Sequence, residues 1–227
     1  MAREAFIGQI RDVVSPMLNR TDFDEKKFVE MLPAYRGWLN ARIVENYSPE
    51  DFPDLNQSER DALTTAVKEF LQIANDVSDN RPASQERLEA AAKLFGDIVS
   101  TIRRLTQEDW QHASNELLGE AEAWMKQDGW PCKRYSKDTT EAFIGNYAQE
   151  RLVFSAEGSQ LALIPVGRFA PGTEGLFDLA VMPAYDSVMV VRRGNRWYIH
   201  PTLGDEGRQD WSKEAFESMS LTLARLP

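Results

Sequence analysis

One feature constrains this chain more than any other: its hydrophobic period changes at Trp130-Pro131. Before that point apolar residues recur every three or four positions, the spacing of a buried helical stripe. After it they tend to alternate, as on strands with one covered face. A long helical segment followed by a sheet is the arrangement that satisfies both patterns.

In the first half, Phe6, Ile7, Ile10, Val13, Val14 and Met17 define a helix over Glu4 to Leu18. Thr21 with Asp24 resembles a capping box opening a second helix, with Phe28, Leu32, Tyr35 and Leu39 as its stripe. Pro33 removes a donor there and predicts a kink or break near Met31. Asn46 to Gln57 carries two prolines and reads as a loop, after which Ser58 with Asp61 caps a third helix that buries Leu63, Val67, Phe70, Leu71 and Ala74. Ser78 to Ser84 is a second loop. Leu88, Ala91, Phe95, Ile98, Val99 and Ile102 form a fourth stripe, and Thr106 with Asp109 is the capping pair of a fifth helix. That helix presents Trp110, Ala113, Leu117, Ala121 and Trp124 and stops at Gly129 and Pro131.

Beyond Pro131 the pattern predicts strands at Arg151 to Ser155, Gln160 to Val166, Leu176 to Met182, Val188 to Arg193 and Arg196 to His200, and a fainter one near Lys133 to Ser136. Glu157-Gly158 and Gly194-Asn195 are hairpin turns, the second of type II′ because glycine stands first. Pro165 belongs at an edge or a strand end. Ser212 to Leu226 closes the chain as a helix on Phe216, Met219, Leu223 and Leu226. The expected architecture is α+β: an N-terminal bundle of about five helices, a small antiparallel meander, and a C-terminal helix. Residues 1–130 form an acidic helical domain, and residues 131–227 a sheet domain docked on it.

Charge narrows the function classes. Residues 1–130 hold 15 Lys/Arg against 24 Asp/Glu, and residues 131–227 hold 11 against 12, within a chain of net charge −10. An acidic field repels phosphate backbones, which disfavours nucleic acid as a partner. The longest apolar runs fall far below the roughly 20 residues of a membrane span. The N-terminal MAREAFIGQIRDVV lacks a secretory apolar core, so a cytoplasmic location is expected. Cys132 is the single cysteine, so no internal disulfide or CxxC site can form.

No catalytic or metal motif is complete. Glu108, His112, Glu116 and Glu120 share a stripe, but it lies opposite the apolar face and reads as a solvated acidic surface. Gly167 to Gly175 matches neither phosphate-binding glycine pattern, although Arg168 could clamp an anion as it leaves its strand. Asp178 is the most informative polar residue, a carboxylate inside LFDLAVM. Its burial demands solvent, protonation or an arginine, with Arg168, Arg192 and Arg196 as candidates. His200 has no marked nucleophile, Cys132 being far away in sequence. Arg192, Arg193 and Arg196 surround a turn near Trp197 and Tyr198, and Tyr185 with Asp186 occupies the neighbouring turn.

The expected function is therefore a non-enzymatic interaction or regulatory module, without cofactor or metal. It would hold a protein or a small anionic partner on the open sheet face through Arg168, Asp178, Tyr185, Asp186, Arg192, Arg196 and His200. The alternatives are a hydrolase or transferase with Asp178 and His200 as acid and base, and a nucleic-acid accessory protein acting through the Arg192–Arg196 hairpin.

Overall fold

The computed structural model describes residues 2–19, 22–31, 47–78, 84–170, 172–201 and 207–226. Thr21, Pro33 and the stripe positions Leu32, Tyr35 and Leu39 lie outside them, as does most of the Ser78 to Ser84 loop. The described helices are α1 (Ala2–Val14), α2 (Glu25–Met31), α3 (Gln57–Ser78), α4 (Gln85–Gln127) and α5 (Lys213–Ala224). A two-stranded pair, β1 (Leu18–Asn19) and β2 (Asp22–Phe23), sits between α1 and α2. The seven-stranded sheet comprises β3 (Cys132–Glu141), β4 (Gly145–Ala156), β5 (Ser159–Gly167), β6 (Leu176–Met182), β7 (Ser187–Arg193), β8 (Arg196–His200) and β9 (Gln209–Asp210). Its spatial order follows the chain order, so it is a meander and the fold is α+β.

The backbone separates into two compact units, one of residues 1–107 with 140–146, the other of 108–139 with 147–227. The first is helical. Phe28 stacks on Phe95 at 4.7 Å between centroids, Phe70 lies 5.0 Å from Phe95, and Phe23 approaches both Phe28 and Phe95. Phe6 packs on Tyr47 and Phe52, and Phe6, Ile10, Val13, Val67, Ile98 and Ile102 are all buried, each such side chain contributing roughly 1.5–3 kcal/mol by leaving water.

The helix starts differ from the expected caps. Asp24 itself caps α2, its Oδ1 accepting from the Lys27 amide. Helix α3 begins with a reciprocal box at Asn56 and Glu59: Asn56 Oδ1 accepts from the Glu59 amide at 3.0 Å, and Glu59 Oε2 from the Asn56 amide at 3.1 Å. Ser58 and Asp61 therefore lie inside the helix they were expected to cap. The expected fourth and fifth helices are one 43-residue helix, α4. Thr106 is fully buried and returns its hydroxyl to the Ile102 carbonyl at 2.7 Å. No Gly or Pro interrupts the region, and buried Ile102, Leu105 and Trp110 carry the stripe through it. The helix ends as expected: Gly129 takes φ +73° and the Trp130 amide reaches back to Met125, a Schellman closure.

In the second unit one sheet face is covered by the C-terminal part of α4 and by α5. Trp110 packs against Phe177 and Trp197, and Trp124, Trp211 and Phe154 surround Phe216. Ser212 caps α5 through the Ala215 amide. The β7–β8 turn has positive φ at both Gly194 (56°) and Asn195 (62°), so it is type I′ rather than II′; asparagine tolerates the left-handed region well enough to take the second place. Pro165 sits near the end of β5 beside a register shift that leaves Val166 half exposed. Strand β4 starts six residues earlier than expected. Its buried positions are Gly145, Tyr147 and Gln149, then Leu152, Phe154 and Ala156, a change of phase of the kind a bulge introduces.

Candidate functional site

The expected site residues divide between the two faces of the sheet and a turn. Arg192 pairs in register with Trp197, which packs on Trp110 and Phe177, so Arg192 points toward α4. It is 6% exposed and grips Asp109 with both terminal nitrogens, at 2.7 and 3.1 Å, while also reaching Asn195 Oδ1 at 3.0 Å. Arg168, 1% exposed, donates to the Glu174 carbonyl at 2.6 Å and brings its Nε to 3.6 Å from Asp109. Two buried guanidiniums thus converge on one carboxylate. Their task is to fasten the Gly167–Gly175 connection and β7 to α4, and neither faces an open groove. Asp109 went unrecognised because the sequence offered it a role in a capping box.

Asp178 lies on the other face. The register pairs it with Ile164 on one side and Met189 on the other, whereas its neighbour Phe177 pairs with Val190 toward the core. None of the three candidate arginines reaches it: Arg168 and Arg192 are held by Asp109, and Arg196 pairs with Arg193 at the far end of the β7–β8 hairpin. Among the described residues Asp178 makes no hydrogen bond and no ion pair. It is half-buried, and burial alone pushes its carboxyl above the ordinary carboxylate range.

His200 shares this face, because it pairs with Met189. The row across the sheet therefore runs Ile164, Asp178, Met189, His200, and the acid and the imidazole stand two strand spacings apart, roughly 10 Å. His200 is 2% exposed, so the face is closed at that end and opens toward β4 and β5. Cys132 opens β3 at the opposite margin of the sheet, about five strand spacings or ~24 Å from His200, which removes that pair as a catalytic unit. Tyr185, 61% exposed with φ +64°, and exposed Asp186 occupy the β6–β7 turn, where the Asp186 carbonyl accepts from the Val181 amide.

Next to Asp178 a groove of about 290 Å³ is lined by Tyr135, Arg151, Val153, Gln160, Ala162, Ile164 and Met182. Lys133 and Arg151 each stand over the Tyr135 ring, at 5.1 and 5.7 Å from its centroid. The groove is therefore apolar along its floor and basic at the β3–β4 margin, and Asp178 stands beside it as the register partner of Ile164. Asp178 was conspicuous in the sequence as a charge inside an apolar run, whereas Tyr135, Val153 and Ile164 were not; alternation puts such residues on one face, and the register between strands makes Val153 and Ile164 neighbours of the groove.

Among the described residues no group of three His, Cys, Asp or Glu side chains could hold a metal ion, and no helix is long and apolar enough to cross a membrane. Glu108, His112, Glu116 and Glu120 follow one another along the helix, with His112 paired to Glu116 at 3.2 Å and Glu120 accepting from the Trp211 indole at 2.9 Å. No protein-family model matches the chain, and neither the search of curated proteins nor that of solved structures gives a match.

Proposed function

We propose that the chain is a non-enzymatic interaction module that grips an extended protein segment on the open sheet face, with Asp178 receiving a basic side chain of the partner. The observation that carries the reading is the placement of Asp178. An unpaired half-buried carboxylate costs the free protein stability, and a cation brought against it relieves that cost at the moment of binding. The apolar floor of Val153, Ala162, Ile164 and Met182 accepts one aliphatic or aromatic side chain, and Lys133 with Arg151 favours an acidic residue beyond it. The partner segment is then acidic, apolar and basic in spatial order, matching the groove from β3 to β6.

A small anion is the weaker occupant, because the two arginines suited to clamp it are engaged with Asp109. The hydrolase or transferase alternative requires Asp178 and His200 to share a reacting atom, and Met189 stands between them.

The test is selection from a random peptide display library on the immobilised full-length protein, counter-selected on Asp178→Asn. Expected binders carry Lys or Arg on one side of an apolar residue, lose about tenfold in affinity against Asp178→Asn, and shift the amide resonances of Ile164 and Met182. Binders that ignore the substitution, or that shift only residues elsewhere, would overturn the proposal.

A further inference from the structure

Strand β3 closes one end of the seven-stranded sheet, and among the described residues no strand pairs with its outer edge. The opposite end is the two-residue β9, so the long free edge belongs to β3. A free edge is a row of unpaired N–H and C=O groups, which proteins commonly blunt by shortness, proline or cover. Strand β3 uses none of these along its middle: it spans 10 residues, contains no proline, and leaves Tyr135, Ser136, Lys137 and Asp138 exposed in succession, on both faces of the sheet.

What the edge carries instead is charge, and charge restricts what can pair with it. A second copy of the chain can lie antiparallel to β3 across a two-fold axis normal to the sheet. Such an axis keeps each face of the sheet on its own side, so residues that meet share a face, and the residue on the axis defines the register. With Tyr135, Ser136, Lys137 or Asp138 on the axis, most of β3 stays paired. Tyr135 there would set Lys133 against Lys137 of the partner subunit, and Lys137 or Asp138 there would meet its own counterpart. Ser136 there sets no like charges opposite: Arg134 faces Asp138 of the partner subunit, Tyr135 faces the partner's Lys137, and Lys133 faces the partner's Thr139. Arg134 already holds Glu122 and Glu150, yet the five N–H groups of a guanidinium leave a donor for a third carboxylate.

We propose that the chain forms a reversible two-fold dimer in which the β3 strands pair antiparallel about Ser136, joining the two seven-stranded sheets into one. The contact is isologous and occupies the long edge of each copy, so assembly stops at two chains. One strand pair is a small interface, which makes the association weak and concentration-dependent. It involves the backbone edge of β3 and does not rest on the groove beside Asp178.

Sedimentation equilibrium of the full chain from about 1 µM to about 1 mM should show the average mass climbing from one chain toward two and no further. Asp138→Lys, at an exposed position, sets like charges opposite at two symmetric points and should weaken the dimer about tenfold. Disulfide capture in a Cys132→Ser background reads the register. Ser136→Cys should cross-link to its counterpart, because directly opposite Cβ atoms stand about 4.5–5.5 Å apart, whereas Lys137→Cys, offset along the strand from its counterpart, should not. A chain still monomeric at about 1 mM, a dimer indifferent to Asp138→Lys, or cross-linking of Lys137→Cys in place of Ser136→Cys would overturn the proposal. So would protection of the β3 amides from hydrogen exchange that appears only when a foreign peptide is added, because the edge would then belong to that peptide.

Discussion

Replacing Asp109 with alanine should be among the most damaging single changes available in the second unit. Asp109 is itself 29% exposed, but the side chains that depend on it are not, Arg168 being 1% and Arg192 7% exposed. Arginine cannot shed its proton to escape burial. Asp109→Ala therefore removes the carboxylate that both buried guanidiniums share. Breaking a buried pair by removing one partner typically costs 3–5 kcal/mol, and the partial exposure of Asp109 places this case near the lower end, about 3 kcal/mol. For a chain of this size that corresponds to a fall in Tm of roughly 6–12 °C. Near-UV circular dichroism reports on the site directly, because Trp110 and Trp197 pack beside it. Adding Arg192→Met removes one of the two buried guanidiniums and should recover part of the loss, giving a positive coupling in the double-mutant cycle. A single Asp109→Ala variant within about 0.5 kcal/mol of the parent in chemical unfolding would refute this assignment.

Three further outcomes follow from the same reasoning. Asn56→Ala should destabilise the first unit by about 1 kcal/mol through loss of the α3 cap, measured by urea unfolding, whereas Ser58→Ala should change little. Gly175→Ala should cost about 1–3 kcal/mol, because its Cβ would collide with the Trp110 ring; Gly8→Ala, in a helix with open space around it, should be neutral or stabilising by up to about 1 kcal/mol in the same assay. The Cys132 thiol is pushed up by burial and by the nearby Glu122 carboxylate, so iodoacetamide should label it more slowly than a free cysteine peptide at neutral pH and faster as pH rises, and labelling at the peptide's rate would contradict this.

The strands Gln160 to Val166 and Leu176 to Met182 were legible as short apolar runs bounded by glycine-containing turns, although three successive residues are buried in each, Leu161 to Leu163 and Leu179 to Val181. The first half of β4 was not, since its inward set changes phase after Gln149 and a period-2 pattern read from Arg151 backward fails at that point. The break expected at Thr106 rested on local capping chemistry. The competing signal, an apolar stripe unbroken from Ile98 to Leu117, prevailed because burying those residues outweighs one cap by several kcal/mol. The same local reading hid Asp109, whose partners lie 59 and 83 residues away and become neighbours only through the tertiary fold. Asp178 was visible as a charge inside an apolar run, but its lack of an arginine partner depends on register, which the sequence of a single strand does not contain.

Partner binding at this face turns on the state of the Asp178 carboxyl, whose titration can be followed directly by carbon-13 NMR of the side chain. A carboxyl held above its unfolded value favours folding least when ionised: its contribution is fully favourable below the unfolded pKa near 3.8 and is lost as pH rises through the folded value. The free protein should therefore show Asp178 titrating above the ordinary carboxylate range, and Asp178→Asn should raise Tm at neutral pH with the gain vanishing at pH below that unfolded value. When a selected basic peptide is bound, the same resonance should titrate at lower pH, because the partner's cation now favours the ionised form. An ordinary pKa in the free protein, or one that the bound peptide leaves unmoved, would contradict the assignment of Asp178 as the carboxylate that receives the partner.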